Sequence, residues 1–315
     1  PGIPGGVSTY PPIKDFGLTG DLHTAALVTK NGSIDWCCWP DFDSPAVFCK
    51  LIDAELGGSF ATNPLNSFVS SQRYVEGTNV LQTVFETNSG RIRVSDFMPV
   101  GCLTGGYVED PPVTRRAISR LVEGLSGDVK VEVNFSPTFN YARAHTEIEP
   151  FAKGGVARSA DEAVVLYCPF ALNANADGSL RSRFKISTGD RVWLHLSYSH
   201  DSKLIFHELT AADHEIEFEQ TIAHWRKWLD ICTYEGDYSS FVHRSALVLK
   251  LLTFAPTGAI VAAPTTSLPE TPGGVRNWDY RYTWLRDSSL IVYALQLIGY
   301  YHEASAFLDW LNRLE

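Results

Sequence analysis

The chain has 315 residues, of which 44% are hydrophobic and 20% are charged, and its formal net charge is −10. This size and composition are typical of a globular protein with room for two domains. The negative charge argues against a nucleic-acid partner, because phosphate binding depends on clustered lysine and arginine. No apolar run reaches the roughly 18–20 residues that span a bilayer, so we expect no membrane partner either.

Residues 1–10 form a stretch rich in proline and glycine. The stretch lacks the basic and apolar segments of a secretory signal peptide, so it predicts a flexible arm. The six cysteines show no Cys-x-x-Cys spacing, and the nine histidines show no His-Glu-x-x-His motif. We therefore expect buried free thiols, no metal and no other cofactor. A cytoplasmic location is favoured, and secretion stays open in case a signal peptide has been removed.

The first two-thirds of the chain show short alternating or apolar runs separated by turn residues, which is the pattern of antiparallel strands. A hairpin is predicted around Asn31-Gly32, because Asn-Gly supplies the positive φ angles of a type I′ turn. Many short strands with regular turns predict a β-sandwich over residues 1–209. Its other strands are predicted at residues 80–87, 92–97, 115–123, 129–135, 163–167 and 191–199, with turns at 88–90, 124–128, 177–178 and 189–190.

Near residue 210 the spacing of apolar residues changes from that of strands to that of helices. An amphipathic helix is predicted over residues 211–232, and further helices at 238–254, 283–300 and 302–314. A Pro- and Gly-rich stretch interrupts the helical pattern after residue 255. We place a helical linker at 210–237 and a second domain at 238–315. Because so few helices cannot bury their apolar faces alone, we expect this second domain to be truncated.

Residues 277–287 hold the densest group of aromatic and charged side chains, Asn-Trp-Asp-Tyr-Arg-Tyr-Thr-Trp-Leu-Arg-Asp. Sugars are bound by aromatic faces, which cover their C–H surfaces, and by charged planar groups, which fix the directions of their hydroxyls. Arg286 and Asp287 supply donors and acceptors for neighbouring hydroxyls. The alternative is structural. Thr283 would cap the following helix and Asp287 would face its dipole. Arg286 would pair with Asp279, and the aromatic side chains would be core.

Several longer runs carry a family resemblance. They are residues 263–270, 273–282 and 284–287 near the end of the chain, and residues 21–28, 32–36, 42–45, 95–99 and 120–124 in the strand-rich region. Together they resemble glycoside hydrolase family 15, which contains glucoamylases, glucodextranases and some trehalases, and in particular its bacterial-type members. The resemblance covers nearly the whole chain. It implies a β-sandwich followed by the first helices of an (α/α)₆ toroid, the part that holds the active site.

By this resemblance, four residues match the subsite for the non-reducing terminal sugar. Tyr280 and Trp284 would form its aromatic wall, and Arg286 and Asp287 would clamp the outer hydroxyls. Asp287 lies beside a cation and is expected to bind substrate rather than to act as a general acid. The family's two catalytic glutamates lie on later helices of the toroid. We therefore expect the general acid and base to lie C-terminal to residue 315, and this segment alone to be inactive.

Residues 36–43, Trp-Cys-Cys-Trp-Pro-Asp-Phe-Asp, are the second candidate segment. We favour a buried strand that ends in an acidic turn, because aromatic residues in strands are normally core. The alternative is that this loop reaches over the toroid mouth, where Trp39 and Asp41 would help to line the pocket.

The resemblance implies an exo-acting hydrolase that releases glucose with inversion from an α-glucan, an isomalto-oligosaccharide or trehalose. Inversion needs a general acid and a general base roughly 6.5–9.5 Å apart, so that water fits between them. The expected partners are a neutral oligosaccharide or disaccharide and the rest of the toroid. Two alternatives stay open: a disaccharide phosphorylase of related architecture, and a non-catalytic carbohydrate-binding or scaffold protein.

Overall fold

The computed structural model describes residues 10–101, 115–201, 209–268 and 274–314, and most of the predicted N-terminal arm lies outside them. The strands within these residues are β1 (Phe16–Gly20), β2 (Ala25–Thr29), β3 (Ser33–Cys38), β4 (Ala46–Phe48), β5 (Ser59–Pro64), β6 (Phe68–Tyr74), β7 (Leu81–Thr87), β8 (Gly90–Phe97), β9 (Ala117–Ser136), β10 (Glu147–Phe151), β11 (Gly154–Ser159), β12 (Glu162–Tyr167), β13 (Asn173–Ala174), β14 (Leu180–Ser187) and β15 (Arg191–Ser199). The helices are α1 (Ala211–Leu229), α2 (Ser239–Leu251), α3 (Leu285–Leu297) and α4 (Tyr301–Asn312).

All strand pairs are antiparallel, and the long strand β9 joins two groups of them. One group runs β1-β2-β3-β5-β9, with β4 on β3 and β14 on β9. The other runs from β6 through β7, β8, β9, β15, β12 and β11 to β10. The first half of β9 pairs with β8 and β15, whereas its second half pairs with β14 and β5.

The two strand groups share one hydrophobic core. Val28 and Phe60 from one group belong to the same buried cluster as Phe85, Leu166 and Leu194 from the other. Each of these side chains is at most 1% exposed. Burying such residues is the main favourable contribution to folding. The predicted strand-rich region is therefore present, and strands of both groups contribute to one core.

Two turn predictions need correction. The hairpin between β2 and β3 is present, but Gly32 is the residue with positive φ (74°) and Asn31 is not, so the turn is not type I′. The Gly32 N–H donates to Thr29 O at 2.9 Å, which closes the turn one residue earlier than predicted. Residues 124–128 form no turn: they lie in the middle of the continuous strand β9, where its pairing with β8 shifts register. Gly124 permits a close approach to Ser187, since a Cβ at Gly124 would lie 1.9 Å from Ser187 O.

The four predicted helices are all present, with ends within a few residues of the predicted ones. Thr210 caps α1 through a capping box, in which its hydroxyl accepts from the Asp213 N–H and its own N–H donates to the Asp213 carboxylate. The predicted cap of α3 is wrong, because Trp284 rather than Thr283 occupies the N-cap position and makes no side-chain capping bond. None of the described helices is long and apolar enough to cross a membrane.

Helix α1 contacts both parts of the molecule. Near its start, Phe218 packs against Phe97 and Trp193 of the sheet, with ring centroids 5.3 and 6.1 Å away. Near its end, Trp228 stacks on Tyr300, with centroids 4.0 Å apart, in a second core shared with α2 and α3. The helix therefore connects the strand core with the helical core.

The described cysteines are free thiols, and the predicted burial is confirmed for Cys37, Cys38, Cys49 and Cys168. Cys232 is partly buried. Cys102 lies outside the described residues.

Candidate functional site

The aromatic and charged segment, residues 277–287, runs from an irregular stretch into the first turn of α3. Two backbone hydrogen bonds hold it beside residues 262–263: the Ala262 N–H donates to Tyr282 O at 3.2 Å, and the Ala263 N–H donates to Tyr280 O at 2.8 Å. Because both bonds join backbone to backbone, they hold this part of the segment beside residues 262–263 whatever its side chains are.

Arg281 anchors this segment to the sheet. Only 6% of the residue is exposed, and its guanidinium donates to the Asp279 carboxylate at 2.7–3.2 Å. It also donates to Ser44 O at 2.8 Å, in the loop that joins β3 to β4. Longer contacts reach Phe42 O at 3.5 Å and Cys38 Sγ at 3.4 Å. A planar fork with five donors suits such a site, where several acceptors converge.

The anchor also shifts the pKa values around it. Burial alone would raise the pKa of Asp279, but the hydrogen bonds and charge of Arg281 outweigh it and hold that pKa below its ordinary value. Burial would lower the pKa of Arg281, but Asp279 and Cys38 raise it instead. Burial raises the pKa of Cys38 to about 12, even though Arg281 opposes the rise. Arg281 and Asp279 thus form an ion pair, and the thiol of Cys38 beside them is neutral.

The four predicted sugar-binding residues fall into two contacting pairs. Tyr280 and Trp284 are partly buried and stack with ring centroids 5.4 Å apart and planes 23° from parallel. Arg286 and Asp287 lie on the first turn of α3, with Nη2 of the arginine 3.2 Å from a carboxylate oxygen. Their side chains are 77% and 37% exposed, so both are available to a ligand. The suggested pairing of Arg286 with Asp279 is not made, since Asp279 pairs with Arg281.

The second candidate segment divides between core and surface. Trp39 is fully buried and packs against Tyr198 and Phe48, with ring centroids 5.8 and 6.3 Å away. Its indole therefore does not line an open surface of the described residues, and the buried-strand interpretation fits its position. Asp41 is partly exposed, and its carboxylate lies 3.8 Å from Arg116. Of this pair, only Asp41 is placed where it could face a ligand.

Sequence reasoning missed a buried group of metal-ligand type. His195, His214 and Glu217 each offer a ligand atom, and these atoms lie within 4.8 Å of one another. Burial raises the pKa of Glu217 to about 7, although Arg115 opposes the rise. The signal in the sequence is the His-x-x-Glu spacing on a predicted helix, which places both side chains on one face. His195 comes from a strand that precedes the helix, so no contiguous motif joins the three residues.

Comparisons with known proteins agree with this fold. Residues 6–183 match the family model described as "Trehalase-like, N-terminal", and residues 236–314 match "Glycosyl hydrolases family 15". A trehalase of Thermoplasma volcanium is 39% identical over 307 residues, which cover 96% of this chain and 47% of the relative. A trehalase of Thermoplasma acidophilum is 40% identical over 90% of this chain and 47% of its own length.

A trehalase of Mycolicibacterium smegmatis is 34% identical over 96% of this chain and 47% of its own length. The chain therefore spans about half the length of the relatives it matches. The family model for the sheet region covers more than half of the chain, and its match contains strands β1–β13. On this evidence the chain belongs to the trehalase-like N-terminal family, and its helical end matches the glycosyl hydrolases of family 15.

Proposed function

We propose that the protein carrying this chain is an inverting glycoside hydrolase that cleaves trehalose to glucose. One observation carries the proposal: relatives named trehalase are 34–40% identical over 90–96% of the chain. Two of these matches cover 96% of the chain, which is enough to span the strand core and the candidate segment 277–287. The substrate is accordingly a neutral disaccharide, which suits a chain of net charge −10. A cytoplasmic location and independence from cofactors in the reaction stay predictions.

The proposed architecture divides the chain into a β-sandwich at 1–209, a helical linker at 210–237 and the start of an (α/α)₆ toroid at 238–315. The position of α1, which contacts both cores, supports the linker. The helices also carry apolar side chains that are open to solvent. Phe241, Leu290, Tyr293 and Tyr301 are 60–73% exposed. In a complete toroid such side chains would pack against neighbouring helices, which gives each of them a buried partner.

We assign the candidate site to the terminal glucose unit. The stacked pair Tyr280 and Trp284 would offer an apolar wall to one face of the pyranose ring. Arg286 and Asp287 would hold adjacent hydroxyls, one as donor and the other as acceptor. These residues would bind and orient the sugar, while the general acid and base come from glutamates C-terminal to this chain. The pyranose ring flattens as the transition state forms. Protein–sugar contacts that strengthen during this change lower the activation barrier more than contacts that are equally strong in the ground state and the transition state.

Substrate choice is tested by assaying the purified full-length protein with trehalose, maltose and isomaltose, each with and without inorganic phosphate. We expect trehalose to be cleaved faster than the other two sugars, with glucose as the only product. Phosphate should not be consumed as a co-substrate. Glucose 1-phosphate as a product would instead establish a phosphorylase. Binding without turnover of any of the three sugars would favour the scaffold alternative.

The subsite assignment is tested by Arg286→Ala in the same protein. A charged hydrogen bond that strengthens in the transition state contributes about 3 kcal/mol, so we expect kcat/KM to fall by about 100-fold. Arg91→Ala is the matched control, because Arg91 is a half-exposed arginine of the sheet that pairs with Glu86. A loss below about tenfold for Arg286→Ala, with the fold intact, would remove the residue from the subsite.

A further inference from the structure

Three buried side chains of metal-ligand type meet where the sheet contacts α1. His195 lies on β15, and His214 and Glu217 lie one turn apart on α1; the three residues are 3–4% exposed. Two imidazoles and one carboxylate form a ligand set that binds zinc in proteins. We propose that His195, His214 and Glu217 form a Zn²⁺ site that ties the sheet to helix α1, apart from the sugar-binding segment.

Neighbouring groups orient the two imidazoles as they would in a metal site. His195 Nδ1 lies 2.8 Å from Ser119 Oγ, which leaves Nε2 as the ligand atom. Metal-binding histidines are usually held in this way through their second nitrogen. His214 stacks on Trp193, with ring centroids 5.2 Å apart and planes 21° from parallel. Its Nδ1 is buried and has no hydrogen-bond partner among the described residues, although it lies 3.9 Å from Glu217 Oε2. A bound cation would give this nitrogen a partner.

Glu217 brings a carboxylate to the cluster, with its two oxygens turned to different neighbours. Arg115 Nε lies 3.2 Å from Glu217 Oε1 and holds that oxygen. The other carboxylate oxygen, Oε2, is the one that faces His214. Glu217 can thus keep its ion pair and still offer one oxygen to the metal.

Space and distance allow the ion to enter. A cavity of about 320 Å³ is lined by His214, Trp193 and Cys168, so it reaches the cluster at His214. Zinc bonds of about 2.0–2.1 Å place tetrahedral ligand atoms about 3.3 Å apart. The ligand atoms lie within 4.8 Å of one another, so they need to close by at most roughly 1.5 Å, a shift within reach of small rotations of the three side chains. The fourth position would hold water from the cavity.

The test is zinc binding by the full-length protein after treatment with a chelator. Isothermal titration should show one equivalent of Zn²⁺, and added Zn²⁺ should raise the unfolding temperature by several degrees. Cobalt is the spectroscopic probe, because Co²⁺ in a site with two imidazoles gives visible absorption bands that report its ligands. His214→Gln should lose this equivalent and the cobalt bands. Ser119→Ala, which frees His195 Nδ1, should weaken binding by roughly tenfold or more.

His145→Gln is the control, since the side chain of His145 is 84% exposed and lies away from the cluster. It should bind zinc as the unaltered protein does. Glu217→Gln, which keeps the size of the side chain, decides the matter if His214→Gln does not fold. The proposal would be overturned if Glu217→Gln or His214→Gln bound zinc with the stoichiometry and affinity of the unaltered protein. It would also be overturned if the unaltered protein bound no zinc. Circular dichroism checks that each variant is folded, and trehalose turnover plays no part in the decision.

Discussion

Replacing Arg281 by methionine would test what holds the sugar-binding segment in place. Methionine keeps an unbranched apolar stem in the buried space but removes every donor. The change leaves the Asp279 carboxylate without the guanidinium that binds it at 2.7–3.2 Å, and it leaves Ser44 O without its donor at 2.8 Å. We expect residues 277–287 to detach from the β3–β4 loop while the sheet stays folded.

The magnitude follows from the environment of each partner. A hydrogen bond between charged groups contributes about 1.5–3 kcal/mol, and the Asp279 side chain is 28% exposed, so the lower half of that range applies. The bond to the partly buried Ser44 carbonyl adds about 1 kcal/mol, because water can replace the lost donor in part. The total loss for Arg281→Met is therefore about 3 kcal/mol, of which about 2 kcal/mol is coupling to Asp279.

The assay is a double-mutant cycle of Arg281→Met and Asp279→Asn, followed by urea unfolding in the full-length protein. The exposed pair Arg183 and Glu132, 2.6 Å apart, provides the matched control, and its coupling should not exceed about 0.5 kcal/mol. If the effects of the two substitutions simply add, the ion pair does not fix the segment. The same conclusion would follow if Arg281→Met left kcat/KM for trehalose unchanged, since a displaced segment should misplace the sugar.

Three further predictions concern stability. Gly124→Ala should lower the free energy of unfolding in urea by at least about 3 kcal/mol, because the new Cβ would lie 1.9 Å from Ser187 O. A loss below about 1 kcal/mol would contradict this close approach. Burial, together with Lys250, lowers the pKa of His224 to about 4. The neutral imidazole therefore stabilises the fold fully above pH 6.5, and the free energy of unfolding falls by about 1 kcal/mol per pH unit between pH 6.5 and 4. His224→Gln should flatten that part of the curve of stability against pH. Glu303→Gln should destabilise the helical core by about 3 kcal/mol, because it removes the charge that lies 3.0 Å from Lys250 Nζ. An unchanged midpoint of urea unfolding would refute this prediction.

Much of the fold could be predicted from periodicity because the relevant signals are local. The strand predicted at residues 191–199 matches β15 residue for residue, and that of residues 163–167 differs from β12 by one. Strands with polar faces and no clear alternation were missed, among them β6 and β10, which carry few buried side chains. The predicted turn in β9 failed for a different reason. Glycine also permits a bend within a strand, and only the partners of that strand decide between the two.

In the candidate site too, local features could be predicted from the sequence and long-range contacts could not. The aromatic pair and the Arg-Asp pair could be proposed from residues 277–287 because each pair is close in sequence. The anchoring role of Arg281 could not, since its acceptors on β3 and the β3–β4 loop lie 237–243 residues away. The pairing of Arg286 with Asp279 was a reasonable alternative by charge alone. It fails because Arg281 is closer to the carboxylate and is already buried beside it.

The measurement that tests the central claim most directly is proton NMR of trehalose hydrolysis by the full-length protein, recorded before the glucose anomers equilibrate. Both glucose units of trehalose are α-linked, so attack with inversion releases one β-glucose and one α-glucose. We predict equal amounts of the two anomers at the earliest times. Release of α-glucose alone would show retention, and absence of trehalose cleavage by a folded full-length protein would contradict the proposed function itself.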